Sequence, residues 1–297
     1  MATPFKHAQG GCSAFACAWC RNGIARRAGG TALKEPTQKG PLAGSFVAGQ
    51  RVVRPRLDHP PAVSVILPTF RRAASGLLQR AVESVLSQTF QAFELIIVDD
   101  GSTDGTRDIL AALDGNNGIR VVYQTTNQGK GAAVARGLRE ASGDIMLIQD
   151  ADLEYNPEEY PILLNPILRG DADVVYGSRF LGSPHGHRVL YFWHSVGNKL
   201  FTTLSNIFSD LNLTDMETCY KVFVRDVAVR LDIQMRDFGI EPEITQKVAR
   251  MRARVYEVPI SYHGRTYEEG KKIGLKDAFK AVYTILRFWR WTPRARG

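Results

Sequence analysis

Leu95-Ile96-Ile97-Val98-Asp99-Asp100-Gly101-Ser102 is the stretch on which the reading of this chain turns. Four consecutive apolar residues leave no polar face, as in a strand covered on both sides. The run then breaks into two carboxylates and a glycine. The same grammar repeats outward. Upstream, Val63-Ser64-Val65-Ile66-Leu67 runs into Pro68-Thr69-Phe70, and Leu78, Val82, Val85 and Leu86 recur at helical spacing over 77–88. Downstream, a helix over 106–113 leads to a strand over 119–124, and a helix over 131–141 to Ile145-Met146-Leu147-Ile148, which ends at Gln149-Asp150-Ala151-Asp152. A helix over 157–168 and a strand at Val174-Val175-Tyr176 follow. Strand and helix in alternation predict an α/β fold, a mainly parallel sheet with helices on both faces. Such sheets bind ligands beyond the carboxyl ends of their strands, where this chain gathers its acids and small polar residues.

The 297 residues are 44% hydrophobic and 23% charged, enough for a sizeable core and unlike a disordered chain. The net charge of +8 and the isoelectric point near 9.4 favour an anionic partner. Residues 1–60 are rich in Gly, Ala, Pro and Arg without a sustained period and read as a poorly ordered basic extension. Cys12, Cys17 and Cys20 lie there with His7, but the spacing lacks a second Cys/His pair, so structural zinc is not expected. Cys219 reads as a small core residue. Nothing points to an oxidising compartment, and the start lacks the continuous apolar stretch of a signal peptide. No window approaches the roughly 18 apolar residues of a membrane span. The expected location is cytoplasmic, or peripheral on a membrane face.

The second half has a different texture. Residues 190–211 carry Leu190, Tyr191, Phe192, Trp193, Leu200, Phe201, Leu204, Ile207 and Phe208, interrupted by Asn198, Lys199, Ser205 and Asn206. Residues 275–291 mix Phe279, Val282, Ile285, Leu286, Phe288, Trp289 and Trp291 with Lys and Arg. Both read as amphipathic, and basic residues beside Trp and Phe fit a helix lying in a membrane interface as well as one packed on its own domain. Nucleic acid is disfavoured as a partner, because the aromatics sit on apolar helices and not on a basic sheet face. The expected domains are 61–275, divided near 155, and a basic tail helix over 276–297.

Four constellations carry chemistry. Asp150 and Asp152, on a loop just past a buried strand, can present oxygens to one hard divalent cation, and Glu154 is placed to add a third ligand or to order a water. In Asp99-Asp100-Gly101-Ser102-Thr103-Asp104, Asp99 or Asp100 can accept from a base N–H, while Asp104 suits a helix cap. Asn127-Gln128-Gly129-Lys130-Gly131 opens a helix whose N-terminus and Lys130 favour anions. Arg265, in His263-Gly264-Arg265-Thr266-Tyr267, and Lys272 fit a flexible basic lid over phosphates.

Taken in order, Pro68-Thr69-Phe70, Ile97 to Ser102, Gly129-Lys130-Gly131, Gln149 to Glu154, Gly177-Ser178-Arg179-Phe180 and Tyr262 to Lys272 resemble glycosyltransferase family 2, with its Rossmann-like GT-A fold. The second half is similar to polyprenyl-phosphate (dolichol-phosphate-type) hexosyltransferases. The resemblance implies that Pro68, Thr69, Phe70, Asp99, Asp100, Lys130, Gln149, Asp150, Ala151, Asp152, Arg265 and Lys272 contact a nucleotide-sugar. It implies that Asp150, Asp152 and Glu154 hold Mg²⁺ or Mn²⁺, and that Arg179, Arg188 and Ser195 contact a lipid-phosphate acceptor. Asp152, Asp215 and Arg265 are its candidate catalytic residues, with Glu217 as a rival to Asp215. Phe70-Arg71-Arg72 departs from the family's usual Tyr-Asn-Glu, whose Glu is the base contact that the resemblance does not carry over to this chain. The implied reaction is an inverting transfer of a hexose, mannose from GDP-mannose or glucose from UDP-glucose. The alternative is a family 2 enzyme with a saccharide or other hydroxyl acceptor.

Overall fold

The computed structural model describes residues 62–182, 189, 191–264 and 275–293. The extension over 1–60, Arg188, Arg265 and Lys272 lie outside the described residues. The first half follows the expected alternation: β1 (Val63–Thr69), α1 (Leu77–Ser87), β2 (Phe93–Asp99), α2 (Thr106–Leu113), β3 (Ile119–Tyr123), α3 (Lys130–Glu140), β4 (Ile145–Ile148), α4 (Tyr160–Leu168) and β5 (Val174–Ser178). A 3₁₀ turn, Pro157–Glu159, opens the segment expected as one helix over 157–168. Then come α5 (Phe192–Ser209), β6 (Lys221–Val224), α6 (Arg225–Arg230), α7 (Ile240–Arg250), β7 (Val255–Pro259) and α8 (Leu275–Phe288).

The seven described strands form one sheet in the order β3-β2-β1-β4-β6-β5-β7. All neighbours are parallel except β6, which runs antiparallel to both β4 and β5. The apolar residues of β1, β2 and β4 are buried on both faces and form the centre of the core. The fold is therefore the GT-A-like α/β fold.

The reversal of β6 matters for the site. Parallel strands deliver their carboxyl ends to one edge of the sheet, and a single antiparallel strand delivers its beginning to that edge. The segment 215–220, which precedes β6, therefore meets the loops after β1, β2, β4, β5 and β7.

β6, α6, α7 and β7 were not legible from periodicity. β6 is short and opens on a buried lysine, Lys221. α7 is buried on nearly every side: Ile240, Ile244 and Val248 form an apolar stripe, but Glu241, Glu243, Gln246 and Lys247 between them are buried as well. Its charges are satisfied internally: Glu243 accepts from the amides of Gln234 (2.8 Å) and Met235 (2.7 Å) and from Lys247 Nζ (2.6 Å).

Candidate active site

Asp99 ends β2, Asp100 follows it, and both are enclosed. Asp99 accepts from the Ser102 amide (3.2 Å) and from Arg107 Nε (2.8 Å). Asp100 reaches across to the loop before α3: its oxygens accept from the Gln128 amide, the Gly129 amide (2.7 Å each) and Gln124 Nε2 (3.1 Å). The first amides ahead of α3 were expected to attract a ligand's phosphate, and instead they grip this carboxylate. Gly129 and Gly131 flank Lys130 at this helix start. In the fold they admit protein backbone: a Cβ at Gly129 or Gly131 would collide with the carbonyls of Arg236 or Met235. Gly101 has φ 75° and faces the Thr126–Asn127 backbone with no room for a Cβ, which fixes the turn that aims Asp100. Asp104 accepts from Thr106 Oγ1 (2.6 Å) at the start of α2, the structural role its position suggests.

The loop after β1 carries Pro68, Thr69 and Phe70 to the same edge. Thr69 Oγ1 is buried and has no hydrogen-bond partner among the described residues. Phe70 lies under the Arg71 guanidinium, 5.4 Å from its ring centroid.

After β4, Gln149 accepts from the hydroxyls of Tyr160 and Tyr220 (2.8 Å each), so its side chain is a buried tie. Ala151 is buried. Asp150 faces Lys130, whose Nζ lies 3.0 and 3.1 Å from the two carboxylate oxygens. Lys130 also reaches Glu241 Oε1 at 3.1 Å, and Glu241 Oε2 meets Lys221 Nζ at 2.5 Å. Burial alone would lower the Lys130 pKa, but Asp150 and Glu241 outweigh it and hold the amine well above its ordinary range. Asp152 is half-buried, and its Oδ1 accepts from the Glu154 amide (3.2 Å). Leu153 between them has φ 61°, a region that costs an L-residue about 1–2 kcal/mol. Strained backbone thus sits beside Asp152.

Asp150 and Asp152 offer hard oxygen donors at one loop, and Asp150 already carries a cationic group. This chemistry fits a Mg²⁺ or Mn²⁺ ion whose remaining ligands come from phosphate and water. Glu154 is placed differently from the expected third ligand. Its side chain is buried and accepts from Tyr262 Oη at 2.8 Å. Among the described residues no three His, Cys, Asp or Glu side chains converge as a metal cluster.

Arg179, just past β5, is buried against Asp215. Nε lies 2.6 Å from Oδ2 and Nη2 lies 2.7 Å from Oδ1, while the Arg179 amide adds a third bond at 3.1 Å. Asn198 of α5 accepts from Nη2 at 3.1 Å and donates to Asp215 Oδ1 at 3.3 Å. The guanidinium also stacks 5.1 Å from the Tyr262 ring centroid. Burial would raise the Asp215 pKa, but Arg179 and these hydrogen bonds hold it below the usual range. Such a carboxylate orients its partner and is poorly suited to take a proton. Nη1 of Arg179 has no hydrogen-bond partner among the described residues. Ser195 lies one helical turn before Asn198 on α5, on the same side. Asn198 was not anticipated; its i+3 spacing from Ser195 was the available signal.

Glu217 is half-buried on the segment before β6, and no hydrogen bond to a described residue engages its carboxyl. Burial, and then the negative charge of Glu241, push its pKa up to about 7. The thiol of Cys219 is buried, as expected, and burial raises its pKa.

Phe208 of α5 packs on Trp289, the residue just past α8 (5.2 Å between centroids). The two helices leave Phe192, Trp193, Leu200 and Ile207 of α5, and Phe279, Tyr283 and Leu286 of α8, exposed. No helix among the described residues is long and apolar enough to cross a membrane.

Comparison with known proteins adds to this geometry. A family model described as Glycosyl transferase family 2 matches residues 64–231. An undecaprenyl-phosphate mannosyltransferase of Micrococcus luteus is 31% identical over 253 residues, covering 79% of this chain and 96% of that protein. A dolichol-phosphate mannosyltransferase of Pyrococcus furiosus is 29% identical over 77% of this chain and 64% of its own length. The low-salt glycan biosynthesis hexosyltransferase Agl6 of Haloferax volcanii is 30% identical over 71% of this chain, which spans half of that protein. Among solved structures, glucosyl-3-phosphoglycerate synthase from Mycobacterium tuberculosis, in complex with Mn²⁺, UDP and phosphoglyceric acid, superimposes with a TM-score of 0.59. It is 20% identical over 79% of this chain and 80% of its own, a likeness of fold.

Proposed function

The chain belongs to glycosyl transferase family 2 and is a glycosyltransferase, and on that premise we propose that it moves a hexose, mannose or glucose, from a nucleotide-sugar to a polyprenyl- or dolichyl-type phosphate, with inversion at the anomeric carbon. The observation that carries this reading is Arg179. A buried guanidinium, oriented by Asp215 and Asn198 and with no partner for Nη1 among the described residues, stands on the sheet edge that also carries Asp150 and Asp152. Guanidinium matches phosphate in shape and charge, and Ser195 is one turn from Asn198. The names of the Micrococcus and Pyrococcus relatives support a lipid-phosphate acceptor and mannose.

On this reading Thr69 and the Asp99-Asp100 turn line the base side. Asp100 sets the path of the 128–129 loop and so the place of Lys130. Asp150 and Asp152 would hold Mg²⁺ or Mn²⁺, which when bound offsets the charge of a departing nucleoside diphosphate. Arg179 holds the acceptor phosphate, and Asp215 orients Arg179. A phosphate is anionic at neutral pH, so attack on the anomeric carbon requires no strong base. Arg265 and Lys272 belong to the proposed lid, and Arg188 to the acceptor side. The exposed aromatic faces of α5 and α8 would rest on a membrane surface, at its cytoplasmic side, bringing the lipid to Arg179.

A second reading has its own observation. Glu217, with its carboxyl near pH 7, suits a general base for a saccharide hydroxyl. One experiment separates them: the protein with Mn²⁺, a panel of GDP- and UDP-sugars, and either a short polyprenyl phosphate or free saccharides, with products weighed by mass spectrometry. A lipid-linked hexose is expected. Product with saccharides alone would favour the Glu217 reading, and no lipid product from any donor would overturn the first.

A further inference from the structure

Asp150, Lys130, Glu241 and Lys221 form a row of alternating charge that neither the fold nor the proposed acceptor chemistry requires. It begins at the site and ends in the core. Asp150 and Lys130 are the outer members, with side chains 20% and 18% exposed. Glu241 is 8% exposed and Lys221 fully enclosed. Lys221 is fixed from behind by the Thr218 carbonyl and by the Tyr176 ring, 5.1 Å from its Nζ. Glu241 is thereby held in one orientation, with one oxygen on Lys221 and the other on Lys130. Lys130 has a fixed inner partner and a second partner, Asp150, at the site.

The carboxylate that Lys130 covers is one of the two that would hold the divalent cation. An ammonium 3.0 Å from Asp150 and a divalent ion on the same oxygens repel each other strongly in a low-dielectric site. Lys130 can leave Asp150 at little cost when another anion is within reach, and a nucleoside diphosphate bridged to the cation is such an anion. We propose that Lys130 is a built-in counter-cation of Asp150 that couples divalent-cation binding to diphosphate binding, and that Glu241 and Lys221 are the positioning pair that holds it in place. The inference rests on the nucleotide-sugar and metal reading above. The cation alone competes with Lys130 for Asp150. With diphosphate present, Lys130 exchanges Asp150 for phosphate and the competition ends. Linkage makes the effect reciprocal: the cation tightens nucleotide by the same factor as nucleotide tightens the cation.

Titration with Mn²⁺, reading free Mn²⁺ by electron paramagnetic resonance with and without GDP or UDP, tests this without turnover. In the wild-type protein one of the two nucleotides should tighten Mn²⁺, by about 5- to 150-fold for a typical coupling. Lys130→Met should tighten Mn²⁺ alone by about fivefold or more and shrink that coupling. Glu241→Gln removes the inner anchor, drives Lys130 onto Asp150, and should weaken Mn²⁺ alone. The opposite signs distinguish the role from general damage to the site, and either variant suffices if the other fails to fold. If neither nucleotide tightens Mn²⁺ in the wild type, the metal–donor reading falls and the inference with it. If nucleotide does tighten Mn²⁺, but Lys130→Met leaves Mn²⁺ alone unchanged or weaker, or Glu241→Gln tightens it, the inference alone is overturned.

Discussion

Replacing Asp215 by Asn keeps the shape of the side chain and removes the charge that faces Arg179. The guanidinium side chain is 6% exposed and the carboxylate side chain fully enclosed. Two short bonds, 2.6 and 2.7 Å, join them. Losing one partner of such a pair leaves a desolvated charge uncompensated and costs about 3–5 kcal/mol. Arg179→Met should cost a similar amount. The double variant Arg179→Met/Asp215→Asn removes both charges and should cost clearly less than the sum, with a coupling of at least about 2 kcal/mol. Urea unfolding at pH 7.5 measures all four corners of the cycle. The sign with pH follows from Asp215, whose folded pKa is depressed. Its contribution is present above the ordinary aspartate pKa near 4, and is lost as pH falls through the lower folded value. The gap between wild type and Asp215→Asn should therefore close below about pH 4. Costs that add to within about 0.5 kcal/mol would refute the assignment of Asp215 as the partner that holds Arg179.

Glu217 behaves oppositely, because its folded pKa is raised: stability is lost as pH rises from the ordinary glutamate range through about 7. Glu217→Gln should be neutral near pH 5 and stabilising by about 1–3 kcal/mol at pH 8, read from melting curves; a destabilised variant at pH 8 would contradict this. Asp152→Ala should abolish turnover while leaving the melting temperature within a few degrees of wild type, and retained turnover would remove Asp152 from the metal set. Gly101→Ala forces a Cβ into the Thr126–Asn127 backbone at a positive φ and should cost about 2–4 kcal/mol in urea unfolding. Phe192→Ser with Trp193→Ser should weaken sedimentation with anionic phospholipid vesicles severalfold at unchanged stability; unaltered binding would move the membrane contact elsewhere.

Much of the first half could be read directly because its signals are local. Val/Ile/Leu runs that bury both faces mark β1, β2 and β4 within two or three residues of their ends, and the polar residues that follow them fall at the ligand-binding edge for topological reasons. The same logic failed for α7, where Glu, Gln and Lys between Ile240, Ile244 and Val248 read as a solvated face but are buried, and for β6, whose Lys-Val-Phe-Val run opens on a buried lysine. The amides ahead of α3 are a further case. A helix start rich in glycine attracts an anion, but only the fold reveals that the anion is Asp100.

Sequence alone therefore determined the parallel α/β framework and the edge that carries Asp99, Asp100, Asp150 and Asp152, since both follow from the order and periodicity of neighbouring residues. The tertiary structure decided which charges meet. Lys130 joins Asp150 across 20 residues and Glu241 across 111, and Arg179 joins Asp215 across 36. The Arg179–Asp215 pairing depends on β6 running backwards between β4 and β5, which brings 215–221 to the site edge. Pairing of buried charges is set by which groups lose water together, and that is a property of packing in three dimensions that no local pattern along the chain encodes.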